Sequence, residues 1–213
     1  LPLSDLVFFP QATQAMHLTE PLDRHLVRDA LHEDRLVALG LRESEPAGHP
    51  PRVAPVVCVA KILADTELED GSYNLMLLGL KRARIQESWQ AAGGYLQARV
   101  EIWEDVYPPE EAAARPAHVR RLEQLFSHLH PGVMQSQELF SPLFGRDVPL
   151  GTLTDSIAFM LDLPTTIKQQ LLAERNVDVR CRILTRCLEQ CIAARKQTGS
   201  DGSADFPPSF SEN

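Results

Sequence analysis

Lysine is scarce in this chain, with only four among 213 residues. They are Lys61, Lys81, Lys168 and Lys196, and none follows a glycine. A phosphate-binding loop of the Walker A kind needs a glycine-rich turn ending in lysine, because backbone N–H groups cradle the phosphates while the ammonium neutralises them. That pattern is missing, as are a G-x-S-x-G elbow and an H-E-x-x-H helix, so the usual signatures of an ATPase, a serine hydrolase and a zinc protease are all absent. No apolar run approaches the roughly 20 residues that a membrane helix requires. No signal peptide is visible, although the first residue is Leu1 and a short preceding leader is allowed for. The four cysteines contain no C-x-x-C pair. Cys187 and Cys191 share a helix face and make half a zinc site at most, because no nearby histidine completes it. They are read with Cys58 and Cys181 as reduced thiols packing as small apolar groups, which points to the cytoplasm. No catalytic, metal-binding or cofactor-binding residue is expected.

What remains is ordinary globular composition, 44% apolar and 23% charged. A chain of this length buries roughly 70% of its unfolded surface and needs no covalent staple to fold. Net charge is −8, from 29 acidic against 21 basic residues, and residues 1–107 hold 16 of the acids but 10 of the bases. Such a surface repels phosphate backbones and anionic membranes. The acids Glu67, Glu69 and Asp70 flank a glycine and read as a solvated hairpin tip. Lys81, Arg82 and Arg84 form a short basic patch, while Arg175, Arg180, Arg182, Arg186 and Arg195 read as decoration of a soluble helix.

The periodicity changes once along the chain. Residues 1–107 read as strands. Leu6 to Phe9 is an apolar stretch ended by Pro10. Arg35 to Leu41 and Val53 to Ala64 are further strands, and Asp70-Gly71 is a hairpin signal before Tyr73 to Leu78. Ala83 to Glu87 and the alternating run Tyr95 to Trp103 complete the set, on either side of Gly93-Gly94. One helix interrupts them, opened by Pro21 and striped by Leu22, Leu26, Val27, Ala30 and Leu31. The stretch from Ser44 to Arg52 is a loop. Beyond Tyr107 the period is helical. Pro116 opens one helix, Leu150 to Leu161 forms a second with Thr152 or Thr154 as cap, Pro164 opens a third, and Val177 to Lys196 a fourth. Residues 197–213 are rich in Ser, Gly, Asp and Pro and are expected to form a disordered tail.

These residues, taken in order, resemble a known family. The opening from Leu1 to Pro10 resembles the P-L-x-x-x-V-x-F-P start of the Lon protease N-terminal (LON substrate-binding) domain. Glu20-Pro21 with Arg24 resembles the E-P-x-x-R of stand-alone LON-domain proteins. Val59 to Ile62, Asp70-Gly71, and Gly79 through Arg82 to Ile85 follow the family's V-A-x-I, D-G and G-x-x-R-x-x-I. In the helical half, Leu153 to Ala158, Leu163-Pro164, Lys168 to Leu172 and Val177 to Arg180 match L-A-D-x-I-A, L-P, K-Q-x-L-L and V-x-x-R. Two glycines of the pattern are replaced, one by Gln11 and one by Val57.

The resemblance implies an α+β fold: a β-rich, PUA-like pseudo-barrel over residues 1–107, then a helical bundle over residues 108–196. It implies a non-catalytic module that binds unfolded or degron-bearing polypeptides, with ATPase and Ser-Lys protease domains absent and a separate ATPase or protease as a further partner. Gly199 and the tail, in place of a long charged coiled coil, suggest a stand-alone protein. The alternative function is RNA binding through the PUA-like barrel, for which Lys81, Arg82 and Arg84 are the basic stripe. The candidate peptide-binding residues are Phe8, Phe9, Met16, Tyr95 and Trp103. Because Phe8 and Phe9 are adjacent, a strand would turn one of them outward.

Overall fold

The structure is a computed structural model and describes residues 1–43, 52–131 and 148–200, with side chains to residue 195. Six strands come first: β1 (Pro2–Leu3), β2 (Thr13–Leu18), β3 (Leu36–Leu41), β4 (Val56–Glu67), β5 (Tyr73–Gln90) and β6 (Leu96–Ile102). Helix α1 (Pro21–His32) lies between β2 and β3. The described helices after the sheet are α2 (Arg115–Leu129), α3 (Leu150–Met160), α4 (Thr165–Ala173) and α5 (Val177–Ser200). The fold is therefore α+β, with the strands in the N-terminal half and the helices concentrated after it.

Sheet order is β1-β3-β4-β5-β2, with β6 also paired to β5. All pairings are antiparallel except β1 with β3. Tyr73 to Gln90 is one strand of 18 residues, where two separate strands, Tyr73 to Leu78 and Ala83 to Glu87, are expected from the sequence. Its first part pairs with β2 and its last part with β6. Register shifts at Val59/Ala60, Ile62/Ala64 and Ile85/Glu87 let so long a pair of strands bend. At the β4–β5 turn Gly71 has φ 78°, a conformation that glycine adopts without a Cβ penalty. The Asp70 carboxylate accepts hydrogen bonds from Ser72 N and Oγ at 2.9 and 2.6 Å. Arg24, four residues into the helix that Pro21 opens, donates to Thr19 O and Asp70 O at 2.7 and 2.8 Å. This single side chain ties the start of α1 to the hairpin tip.

The segment before β2 is held differently from expectation. Leu6 to Pro10 is not a strand, and Phe8 and Phe9 are both buried, at 1% and 0% exposure. With no strand alternation, neither ring turns outward. Gln11 N donates to Gly79 O and Gly79 N to Ala12 O, both at 2.8 Å, so the segment is pinned against the middle of β5. Phe8 packs edge-on against Phe159 of α3, with ring centroids 5.6 Å apart. The turn places Gln11 at φ 65°, in the left-handed region. This is the physical reason a glycine suits that position. Gln11→Gly is expected to raise stability by up to about 1 kcal/mol, because removing the Cβ strain outweighs the added freedom of the unfolded chain. Denaturant titration checks this, with an unchanged m-value. The other replaced glycine is accommodated across the sheet. A Cβ on Gly40 would lie 2.9 Å from both Val53 Cγ1 and Val57 Cγ1, so the valine fills space that Gly40 leaves.

The two halves share one continuous apolar core, in which Phe8, Leu39, Ile62 and Leu77 of the sheet region join Leu122, Leu153, Leu172 and Leu184 of the helices. A buried ionic cluster fastens them. Arg82 of β5 donates from Nη2 to Asp155 Oδ2 of α3 at 2.5 Å and from Nη1 to Leu172 O at 2.8 Å. Arg180 of α5 donates to both Asp105 carboxylate oxygens, at 3.1 and 2.8 Å, and from Nε to Thr154 Oγ1 at 3.0 Å. Its Nε is also 3.2 Å from Asp155 Oδ1, an ion-pair contact without hydrogen-bond geometry. Gly151 makes room for this arrangement, since a Cβ there would collide with the Asp105 carboxylate. Arg180 is thus a core residue rather than surface decoration. Thr154 is a buried acceptor rather than a cap, and Pro149 occupies the N-cap of α3 without a side-chain cap bond. Helix α5 runs to Ser200, past the Gly199 expected to end it, and the loop expected from Ser44 and the tail beyond Ser200 lie outside the described residues. No described helix is long and apolar enough to cross a membrane.

Candidate functional site

The β5–β6 hairpin folds over α1 because two glycines at its tip allow close approach. A Cβ on Gly94, where φ is 84°, would sit 3.0 Å from Leu22, and one on Gly93 would sit 3.0 Å from the Tyr95 ring. His25 and Gly93 O are 3.3 Å apart, and Tyr95 donates its hydroxyl hydrogen to Asp29 Oδ2 at 2.5 Å. The bond to the Asp29 carboxylate pushes the Tyr95 phenol pKa up. The helix and hairpin are thereby clipped at one end, and a groove is left between them and the β1–β3 side of the sheet.

The groove has two adjoining parts that share Leu26, Ile85, Tyr95 and Leu96. The inner part, about 190 Å³, is walled by α1, β3 and β6 and holds Asp29 and Glu33 as its charged side chains. The outer part, about 630 Å³, is walled by Leu22, Pro55, Ile85, Trp89 and Leu96 and rimmed by Glu20, Asp23, Arg42 and Arg52. Burial, and secondarily the neighbouring Glu20, push the Asp23 carboxyl pKa up. Leu22 and Trp89 are 49% and 43% exposed, large apolar groups open to solvent on facing elements of one concavity. An exposed apolar concavity of this kind suits contact with apolar side chains of another chain.

Of the candidate residues, Tyr95 lines this groove, although its ring is largely buried and its hydroxyl is engaged by Asp29. Phe8 and Phe9 belong to the core. Met16 is half-buried on β2, where it faces Leu75 of β5, away from the groove. Trp103 is half-buried, and the guanidiniums of Arg84 and Arg175 lie 5.5 and 5.3 Å from its ring centroid. The structure therefore does not bring the five candidates together. Leu22 and Trp89 are the residues missed. Leu22 fell within the stripe assigned to the buried side of α1, and Trp89 fell outside the alternating segments. The signal that could have found Trp89 is its place beside the Gly93-Gly94 turn, where no buried face is available.

Each member of the basic patch is engaged within the chain, and only Arg82 lies in the interior. Lys81 pairs with Glu104 at 2.9 Å, Arg82 is the buried partner of Asp155, and Arg84 stacks on Trp103. The buried thiols are not poised for chemistry. Burial pushes Cys58 up to about 12 and Cys181 up to about 11, so neither forms a nucleophilic thiolate near neutral pH. Among the described residues no group of three or more His, Cys, Asp or Glu side chains is placed to hold a metal ion.

Comparison with known proteins finds one family model, the ATP-dependent protease La (LON) substrate-binding domain, matching residues 1–190. The Lon protease of Desulfosudis oleivorans is 27% identical over 194 residues, which are 88% of this chain and 23% of that protein. Lon protease 2 of Thermus thermophilus is 27% identical over 90% of this chain and 24% of its own length. The chain thus spans about a quarter of the length of the curated relatives it matches. Among solved structures, the N-terminal domain of Mycobacterium avium complex Lon protease superposes with a TM-score of 0.71 at 18% identity, covering 89% of this chain and 96% of that one. A Lon N-terminal domain protein from Xanthomonas campestris gives 0.58 at 23% identity, covering 91% and 95%. Both support the fold.

Proposed function

We propose that this chain, which belongs to the ATP-dependent protease La (LON) substrate-binding domain family, is a receptor that holds unfolded or degron-bearing polypeptide segments in the groove between α1 and the β5–β6 hairpin and does no chemistry on them. The observation that carries this reading is the pair Leu22 and Trp89, exposed on facing elements of one apolar concavity. Clients of such a receptor share no sequence, so recognition has to rest on apolar contact and on the backbone. Processing of the bound segment would fall to a separate ATPase or protease. The RNA alternative gains nothing from the geometry, because Lys81, Arg82 and Arg84 are each engaged within the chain.

A labelled unfolded peptide followed by fluorescence anisotropy tests the reading. Binding of about 1 μM is expected, equivalent to roughly 8 kcal/mol, with little change across a salt series. Trp89→Ala is expected to weaken it about tenfold, as for an interface aromatic of moderate weight. An RNA oligomer that binds tightly and falls away steeply with salt, or a Trp89→Ala protein that binds peptide as well as the parent, would sink the proposal.

A further inference from the structure

We infer that the groove takes its polypeptide as an extended strand added to the free edge of β6, with a lysine or arginine of that strand seated against Asp29 and Glu33. This rests on the reading of the groove as a polypeptide site and specifies how the site is read.

Three observations converge. First, β6 pairs with β5 along one edge, and among the described residues no strand pairs with its other edge. Alternate residues of an edge strand direct their N–H and C=O groups outward, which makes a ready template for another chain. Second, that edge opens onto the groove. Leu96, Gln97 and Ala98 of β6 line the inner part opposite Leu36, Val37 and Ala38 of β3. A strand laid beside β6 would place alternate side chains among Leu26, Val37 and Ile85, with Leu22 and Trp89 at the outer end. The backbone would bind any sequence, while the apolar walls would select for side chains on one face only.

Third, the charge of the inner part has one sign. Asp29 and Glu33 are its charged side chains, and no lysine, arginine or histidine lines it. The Leu1 backbone nitrogen, also at this end, donates to Ala38 O at 2.7 Å. The outer rim, by contrast, balances Glu20 and Asp23 with Arg42 and Arg52. A cationic side chain is therefore favoured at the inner end, where the Asp29 and Glu33 carboxylates complement it, and an acidic one is repelled.

The test uses the full chain and a fluorescein-labelled decapeptide of alternating valine and lysine. Two further peptides carry N-methyl groups on alternate residues, one in each phase, and a fourth replaces the lysines with glutamate. An added strand donates to β6 through the N–H groups of one phase only, so the peptide methylated in that phase should lose at least about tenfold in affinity while the other stays within about twofold. The glutamate peptide should bind about tenfold more weakly, and Glu33→Gln should narrow that gap to about threefold. If the parent peptide binds, is weakened by Trp89→Ala, and is indifferent to methylation in both phases, the receptor reading stands and strand addition is overturned. Equal loss in both phases overturns it too, since only one phase faces β6. Failure of the parent peptide to bind overturns both.

Discussion

Replacing Asp155 with alanine is expected to lower the free energy of unfolding by about 3–5 kcal/mol, the loss that follows when one partner of a buried ion pair is removed and the others stay. Asp155 is 2% exposed and stands between Arg82 and Arg180, themselves 2% and 0% exposed. Without it, two guanidiniums remain in the interior with only Asp105 as a charged counterpart. The midpoint of urea unfolding should fall with the m-value unchanged. Lys81→Ala provides the contrast. It breaks the exposed Lys81–Glu104 pair and should cost less than about 1 kcal/mol. If both substitutions cost the same small amount, the ionic cluster is not what fastens the halves together.

Gly79→Ala is expected to be at least as damaging, by about 3–6 kcal/mol, the value of exposing two fully buried aromatic side chains. A Cβ at this position would fall within the carbonyl of Phe9, and backbone atoms cannot step aside as a flexible side chain can. Relief requires the segment from Phe8 to Ala12 to lift away, breaking the two 2.8 Å bonds between Gly79 and that segment. Both phenylalanines would leave the core with it. Thermal unfolding, together with faster proteolysis near Phe8 and Phe9 in the native state, checks this. A variant that melts like the parent and stays uncleaved there would show that the segment is not pinned by Gly79.

Local chemistry was legible where it acts over a few residues. Pro21, Pro116 and Pro164 mark helix starts, Asp70-Gly71 marks a turn, and the change of period near Tyr107 marks the passage from strands to helices. Contacts between distant residues were not legible. Arg82 and Arg180 look like surface cations because nothing within a few residues pairs with them; their acids, Asp105 and Asp155, lie far along the chain, up to 73 and 75 positions away. Alternation alone could not reveal that β5 runs unbroken, since bulges shift the phase along the sheet. The apolar character of Phe8 and Phe9 suggests a strand, yet their burial comes from the turn at Gln11 and the approach to Gly79. The groove is illegible in the sequence for a related reason. Leu22 and Trp89 are exposed only because the hairpin stops short of covering α1, a property of two elements that no single segment encodes.

The long sequence separation within the ionic cluster has a consequence for the order of events during folding. Arg82 meets Asp155 only after a loop of 73 residues has closed, while the β4–β5 turn in which the Asp70 carboxylate accepts from Ser72 closes over a few. Loop closure has an entropic cost that grows with separation, and local pairings therefore come first. The sheet can be in place before α3 and α5 dock, so the cluster is expected to form after the rate-limiting step rather than within it. Interactions absent from the transition state leave the folding rate alone and slow escape from the native state. The same buried charges that hold the two halves in register would then set how long the folded molecule lasts, and contribute little to how quickly it is reached.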